Sequence, residues 1–195
     1  MVPILVSEPP PSAGILKVMT PKQFFDWQTG GGTDDVMRLV DALERADLAW
    51  CAIGGIAVNH WAKEPMVTRD FDFVVAAESN EGAVAALEQA GFGLERFPHS
   101  ISFRGRSTVG LQLSTDELYR HFPAHAVPAD VHGVLLRVAS LADTVAGKVA
   151  AWSDPGRRPS KRLKDLTDLA RLLEAHPEVW ELFPEPLRVE LDRTR

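Results

Sequence analysis

Cysteine is nearly absent. Cys51 is the only one in 195 residues, which excludes an intrachain disulfide and a four-cysteine zinc site. Basic charge is also short: 21 Lys and Arg stand against 27 Asp and Glu, a formal net charge of −6. A general nucleic-acid coat relies on Lys and Arg displacing counterions from phosphates, so this balance speaks against one and leaves room only for a local basic patch. No apolar run reaches the roughly 18 residues a membrane span requires. Val2 to Val6 is apolar, but no basic stretch precedes it and Pro9, Pro10 and Pro11 follow, a poor match to a secretory leader. Internal repeats, a Walker loop and a Ser/His/Asp set are missing as well. A soluble protein of the reducing cytoplasm, with no membrane partner, is the expectation. What is present is ordinary globular composition, 45% hydrophobic and 25% charged, at a length that suits one compact domain or a domain with a small appendage.

Along the chain, residues 1–20 read as an extended lead-in, because consecutive prolines disfavour helix. A short helix over Lys22–Trp27 and a flexible break at Gly30, Gly31 and Gly32 follow. Thr33 is a candidate N-cap for an amphipathic helix over 34–46, apolar at Val36, Leu39, Val40 and Leu43. The pattern then alternates. Trp50–Ile53 reads as a buried strand, Ile56–Trp61 as a helix, Lys63–Arg69 as a loop and Asp70–Ala76 as a strand. A helix over 81–90 closes at Gly91. Strand candidates come at Phe92–Phe97, Ser100–Arg104 and Thr108–Ser114, and after an ambiguous stretch carrying Pro123 and Pro128, at Val134–Val138. Ser140 caps a helix over 141–152, and Lys161–Ala175 is a second one. The tail, 176–195, holds one short helix. This order predicts an α/β (α+β) fold with a mixed β-sheet flanked by helices. Residues 1–32 form an N-terminal extension, 33–139 the core, and 140–195 a helical C-terminal region.

Two segments carry chemistry. In a strand, residues two apart share a face, so Asp70 and Asp72 point one way while Phe71, Phe73 and Val75 point into a core. Neighbouring carboxylates repel, and a divalent cation between them relieves this. Mg²⁺ suits the site, since it takes one or two carboxylates together with substrate phosphates. The plain alternative is an edge strand with a solvated polar face. Earlier in the chain, Gly54-Gly55 lies between a strand and a helix, where backbone N–H groups can approach a phosphate. Alone, it is equally a tight connection.

Gly54-Gly55 followed by Thr68-Arg69-Asp70-Phe71-Asp72-Phe73 resembles the motif of the nucleotidyltransferase superfamily that includes DNA polymerase β. The later Ser140–Lys148 segment, a short basic loop, and Lys161-Arg162-Leu163-Lys164-Asp165 are similar to its AbiEii-like branch, which includes toxins of toxin–antitoxin pairs. The resemblance spans about residues 48–175. It implies transfer of an NMP from an NTP to a hydroxyl of RNA, protein or a small molecule. Asp70 and Asp72 would hold Mg²⁺ (or Mn²⁺), and Gly54 and Gly55 would cradle phosphates, with Thr68 and Arg69 beside them. Lys148 would face the nucleotide, and Asp165 would support that lysine or the substrate. An antitoxin protein is an implied partner.

One departure stands out. The family places a third carboxylate on a later strand, and Gln112 occupies that place here unless Asp116 substitutes through a different register. An amide cannot take a proton from an incoming hydroxyl. The alternative is therefore a catalytically degenerate member that binds nucleotide or a partner protein. Lys148 also reads as an exposed lysine lying over apolar neighbours, and Lys164 with Asp168 as an i,i+4 pair. Arg157, Arg158, Lys161, Arg162 and Lys164 put five cations within eight residues, the one place for tRNA or another phosphate-rich acceptor. His121 and His125 have i,i+4 spacing, but Pro123 between them argues against a zinc site.

Overall fold

The computed structural model describes residues 20–62 and 66–193. The expected extended lead-in therefore falls almost wholly outside the described residues, as do residues 63–65 of the expected loop.

Helix α1 (Pro21–Gln28) opens on a capping box. The Thr20 side chain accepts from the Gln23 N–H, and the Gln23 side chain returns to the Thr20 N–H, which satisfies two otherwise unpaired donors. Its Phe25 is fully buried in the main core. Helix α2 (Thr33–Arg45) begins at Thr33 itself, with Gly32 as N-cap and no side-chain cap. The expected cap thus lies inside the helix, where Asp34 and Asp35 complement the dipole instead.

Strand β1 (Trp50–Ala52) runs into helix α3 (Gly54–Trp61), so both glycines lie in the helix's first turn rather than before it. Strand β2 (Asp70–Val75) follows, then helix α4 (Asn80–Gln89), which ends at Gly91 with φ of +84°. Three antiparallel-linked strands come next: β3 (Gly93–Phe97), β4 (Ser100–Arg104) and β5 (Gly110–Ser114). The ambiguous stretch resolves into two short 3₁₀ turns, Glu117–Tyr119 and Phe122–His125, and strand β6 (Val127–Val131). Pro128 is tolerated because β6 ends the sheet, and an edge strand can spare an N–H. Strand β7 (Val134–Val138) precedes helices α5 (Leu141–Ser153), α6 (Pro159–Ala175) and α7 (Glu185–Asp192).

The seven strands form one mixed sheet in the order β3-β4-β5-β2-β1-β7-β6. β1 pairs parallel with β7 and antiparallel with β2, and β2 pairs parallel with β5. β1 and β7 therefore end where β2 and β5 begin, and α3 and α5 leave from that same end. One sheet face is apolar. Phe71, Phe73, Leu111, Leu113 and Phe103 pack with Leu39, Leu43 and Leu87 from α2 and α4. Fully burying each such side chain contributes about 1.5–3 kcal/mol. A second apolar cluster joins α3 (Val58) to the helical region through Val145, Leu169, Leu172 and Leu187. It anchors α5 and α6 across the sheet's other face, and the space between is a cleft.

Candidate functional site

β2 sets one wall. Its burial alternates as period two requires: Phe71 and Phe73 are buried in the core while Asp70 is exposed and Asp72 half-buried on the opposite face. Both acids line a cleft of about 280 Å³. The parallel register sets Gly110 beside Asp70 and Gln112 beside Asp72. Gln112 thus occupies the neighbouring place on β5 and also lines the cleft. Asp116 does not take that place. It lies past the strand end and accepts a 2.9 Å hydrogen bond from the Leu118 N–H, capping the turn.

Glycines bring the backbone against these acids. Gly54 has φ of +62°, and a Cβ there would overlap the Asp72 carboxylate, while a Cβ on Gly110 would press on Asp70. The turn after β1 therefore needs glycine on both conformational and steric grounds. It is tied down where the Ile53 N–H donates to the Asp72 carbonyl at 2.8 Å. Gly55 lies under Thr68, which is buried and whose hydroxyl donates to the Asp70 carbonyl.

The electrostatics of this wall are unbalanced. Burial, and then the Asp70 charge, push the Asp72 carboxyl up to about 6, with Lys148, Lys164 and Lys161 opposing through space. A cavity wall carrying two acids, one already strained toward its neutral form, has the donor chemistry for one hard divalent cation that also meets phosphate oxygens. Among the described residues no group of three or more His, Cys, Asp or Glu is placed to hold a metal ion.

The opposite wall is helical and opposite in kind. Lys148 on α5 is buried, with Nζ 3.1 Å from Asp165 Oδ1 and 2.7 Å from Asp168 Oδ2. The reading as an exposed lysine is thereby corrected. Burial alone would lower its pKa, but Asp168 and Asp165 outweigh this and hold it raised. Arg157 closes on Asp165 Oδ2 at 2.8 Å, and Arg171 on Asp168 Oδ1 at 3.1 Å. Arg171 continues to Asn59 on α3 at 3.0 Å. Lys148 is thus shared by both carboxylates, and each carboxylate also has an arginine of its own. Asp168 is engaged here, so the expected Lys164–Asp168 helix pair does not form the stabilising contact.

The basic run divides. Arg157 and Lys161 line the cleft. Arg162 donates to the Asp154 carbonyl at 2.6 Å, pinning the α5–α6 loop. Arg158 and Lys164 are exposed, as is Arg69 beside the acid pair. Gly54, Asp70, Asp72, Gln112, Lys148 and Asp165 thus meet in one cleft, while Gly55, Thr68, Arg69, Arg158, Arg162 and Lys164 stand outside its lining. His125 turns to Asp143, 3.2 Å away, rather than to His121. Burial, then Asp143, push the Cys51 thiol up to about 12, so it is no nucleophile.

Asp143 and Tyr119 are among the lining residues that escaped sequence reasoning. Asp143 sits in the first turn of the Ser140-capped helix, and its carboxylate accepts from Ser140 Oγ at 2.7 Å. Tyr119, the only tyrosine, sat in the ambiguous stretch and gave no periodic signal.

Solved structures share this fold. The lincosamide antibiotic adenylyltransferase LnuA, lincomycin-bound, superposes with a TM-score of 0.50 at 13% identity over 72% of this chain and 97% of that one. The antibiotic-resistance factor ANT(2'')-Ia matches with a TM-score of 0.55 at 15% identity over 82% and 90%, and its complex with adenylyl-2''-tobramycin with 0.55 at 16% over 80% and 96%. At such identities these likenesses show the fold. No curated protein sequence matches. Residues 53–191 match the family described as nucleotidyl transferase AbiEii toxin, Type IV TA system, a span that runs from the Gly54 turn through the acid pair and both cleft helices. The chain belongs to that family and is an enzyme of the nucleotidyltransferase class.

Proposed function

We propose that the chain moves an NMP from an NTP to an acceptor hydroxyl in a reaction dependent on Mg²⁺ or Mn²⁺, with Asp70 and Asp72 as the ligands of the ion. The observation that carries this reading is the convergence in one cleft of two mutually repelling acids, Asp70 and Asp72, with the cations Lys148, Arg157 and Lys161. When bound, the ion offsets negative charge developing on the phosphoryl oxygens. The chain supplies the rest. The first turn of α3, where Gly54 lines the cleft and Gly55 stands just behind it, receives the terminal phosphates, as a helix N-terminus favours anions. Lys148, held by Asp165 and Asp168, and Lys161 face the triphosphate as positioned point charges. The acceptor oxygen forms a bond to the α-phosphorus, the bond from that phosphorus to the bridging oxygen breaks, and pyrophosphate leaves while the hydroxyl proton passes to solvent.

The acceptor enters beside Gln112 and the exposed cations Arg158 and Lys164. These favour a phosphate-rich acceptor such as tRNA, whereas the net charge of −6 restricts contact with it to this patch. Family membership supports a toxin role opposed by an antitoxin protein. Among the described residues no helix is long and apolar enough to cross a membrane.

Gln112 favours one second reading: a weakened transferase whose main work is to bind nucleotide or a partner protein, because an amide accepts no proton from the incoming hydroxyl. Pyrophosphate release, assayed with labelled NTPs and total tRNA or small hydroxyl acceptors, separates the two. Release that is lost in Asp70→Asn and Asp72→Asn supports the transferase. Tight NTP binding without release, converted to release by Gln112→Asp, supports the second.

A further inference from the structure

The phosphate-facing groups account for only part of the cleft. Where the lining leaves them it becomes aromatic, at Tyr119 with Phe122 behind it. The two rings meet edge to face, with centroids 5.1 Å apart and planes at 89°. Phe122 is buried in a small cluster with Cys51, Ile53, Val74 and Ala139, and Tyr119 packs against that cluster half-buried. Val74 continues the β2 face that carries Asp70 and Asp72, so the aromatic pair stands on the strand that positions the acids. The edge of the Tyr119 ring, at Cε1 and the hydroxyl, lies against α5 at Gly147, one residue before Lys148. A Cβ there would come within 3.2 Å of Tyr119 Cε1, and glycine leaves the room that keeps the ring in place.

We propose that Tyr119 is the nucleobase platform of this cleft, stacking the base of the NTP whose phosphates meet Gly54, Asp70 and Asp72. The inference rests on the nucleotide reading given above. Its physical basis is that a nucleotide presents one anionic end and one flat aromatic end, and the cleft offers one partner surface for each. Every base has a π-face, so stacking of this kind tolerates all four bases. Burial, then the charges of Asp116 and Asp72, push the phenol up to about 12. Its hydroxyl therefore keeps its proton at neutral pH and serves as a donor to the base edge or ribose.

Calorimetry with Mg²⁺ tests this, using ATP, CTP and inorganic tripolyphosphate as probes on the full chain. Stacking contributes enough that Tyr119→Ala weakens ATP and CTP binding about tenfold. Tripolyphosphate affinity stays unchanged, which also shows that the variant is folded, and Tyr119→Phe retains most of the nucleotide affinity. Equal weakening of ATP and tripolyphosphate, or full ATP affinity in Tyr119→Ala, overturns the platform while leaving the nucleotide site standing. A wild-type chain that binds none of the three probes overturns the nucleotide reading and the platform with it.

Discussion

Two pairs of aspartates, one on β2 and one on α6, are built on opposite terms. Asp165 and Asp168 are buried, and each is closed by cations within about 3 Å: Lys148 and Arg157 on the first, Lys148 and Arg171 on the second. Asp70 and Asp72 are more open, yet Asp72 is the strained one, because its nearest neighbour in charge is another acid. The helical pair is finished within the chain, and removing a partner breaks it. The strand pair has an acid rather than a cation as its nearest charge, and under the proposed function the balancing charge comes from a ligand. Under the proposed function this difference separates scaffold carboxylates from site carboxylates, a distinction that burial alone would reverse.

The largest effect expected from breaking the comparison lies on the helical side. Lys148→Met leaves two buried carboxylates short of their shared cation, and losing one partner of a buried ion pair costs about 3 kcal/mol or more. For a chain of this size that lowers the melting temperature by about 10 °C, measurable by differential scanning calorimetry. Asp72→Asn, by contrast, leaves the melting temperature equal or higher, since it removes a repulsion.

A smaller effect tests the strand side through its backbone. Gly54→Ala forces a residue with a Cβ into positive φ, costing about 1–2 kcal/mol, and crowds the Asp72 carboxylate. Denaturant titration should show that modest loss. NTP binding in the presence of Mg²⁺ should fall further than stability does, because the overlap falls on the acid itself.

The smallest effect is a slope with pH. Asp72 ionises near 6 in the fold, against 3.8 for an ordinary aspartate, so between those values the folded chain binds more protons than the unfolded one. Stability contributed by Asp72 is then fully present below about 3.8 and is lost as pH rises to about 6. Urea titrations across that window should show this component in the wild type and not in Asp72→Asn. Binding of the divalent cation runs the other way, weakening as pH drops below about 6 and Asp72 takes up its proton.

Much of the architecture was legible in the sequence because it rests on local periodicity. The α2 stripe, the alternating β2 strand and the Ser140-capped α5 each bury the face their spacing names. The acid pair was legible for the same reason, since period two alone sets Asp70 and Asp72 on one face. Strand β6 was obscured by Pro128, which reads as a breaker unless one knows that the strand lies at an edge. The Lys148 network was only half visible. Asp165 and Asp168 share a helix face at i,i+3, but a lysine 17 residues before Asp165 joins them only through the packing of α5 on α6. Local spacing favoured Lys164 for Asp168, and the buried cation displaced that pairing. Tyr119 had no local signal, because a 3₁₀ turn carries no long period and its place in the cleft depends on Gly147 across the fold.

If the strand acids need an ion that arrives with the nucleotide, one thermal-shift experiment reads that need directly. With ATP held near a hundred times its dissociation constant, linkage predicts stabilisation of about 2.7 kcal/mol, or a rise of about 5–10 °C, when Mg²⁺ is present. Little rise is expected with EDTA, and little in Asp70→Asn or Asp72→Asn under any condition. An equal rise with and without Mg²⁺, or a full rise in Asp72→Asn, would contradict it.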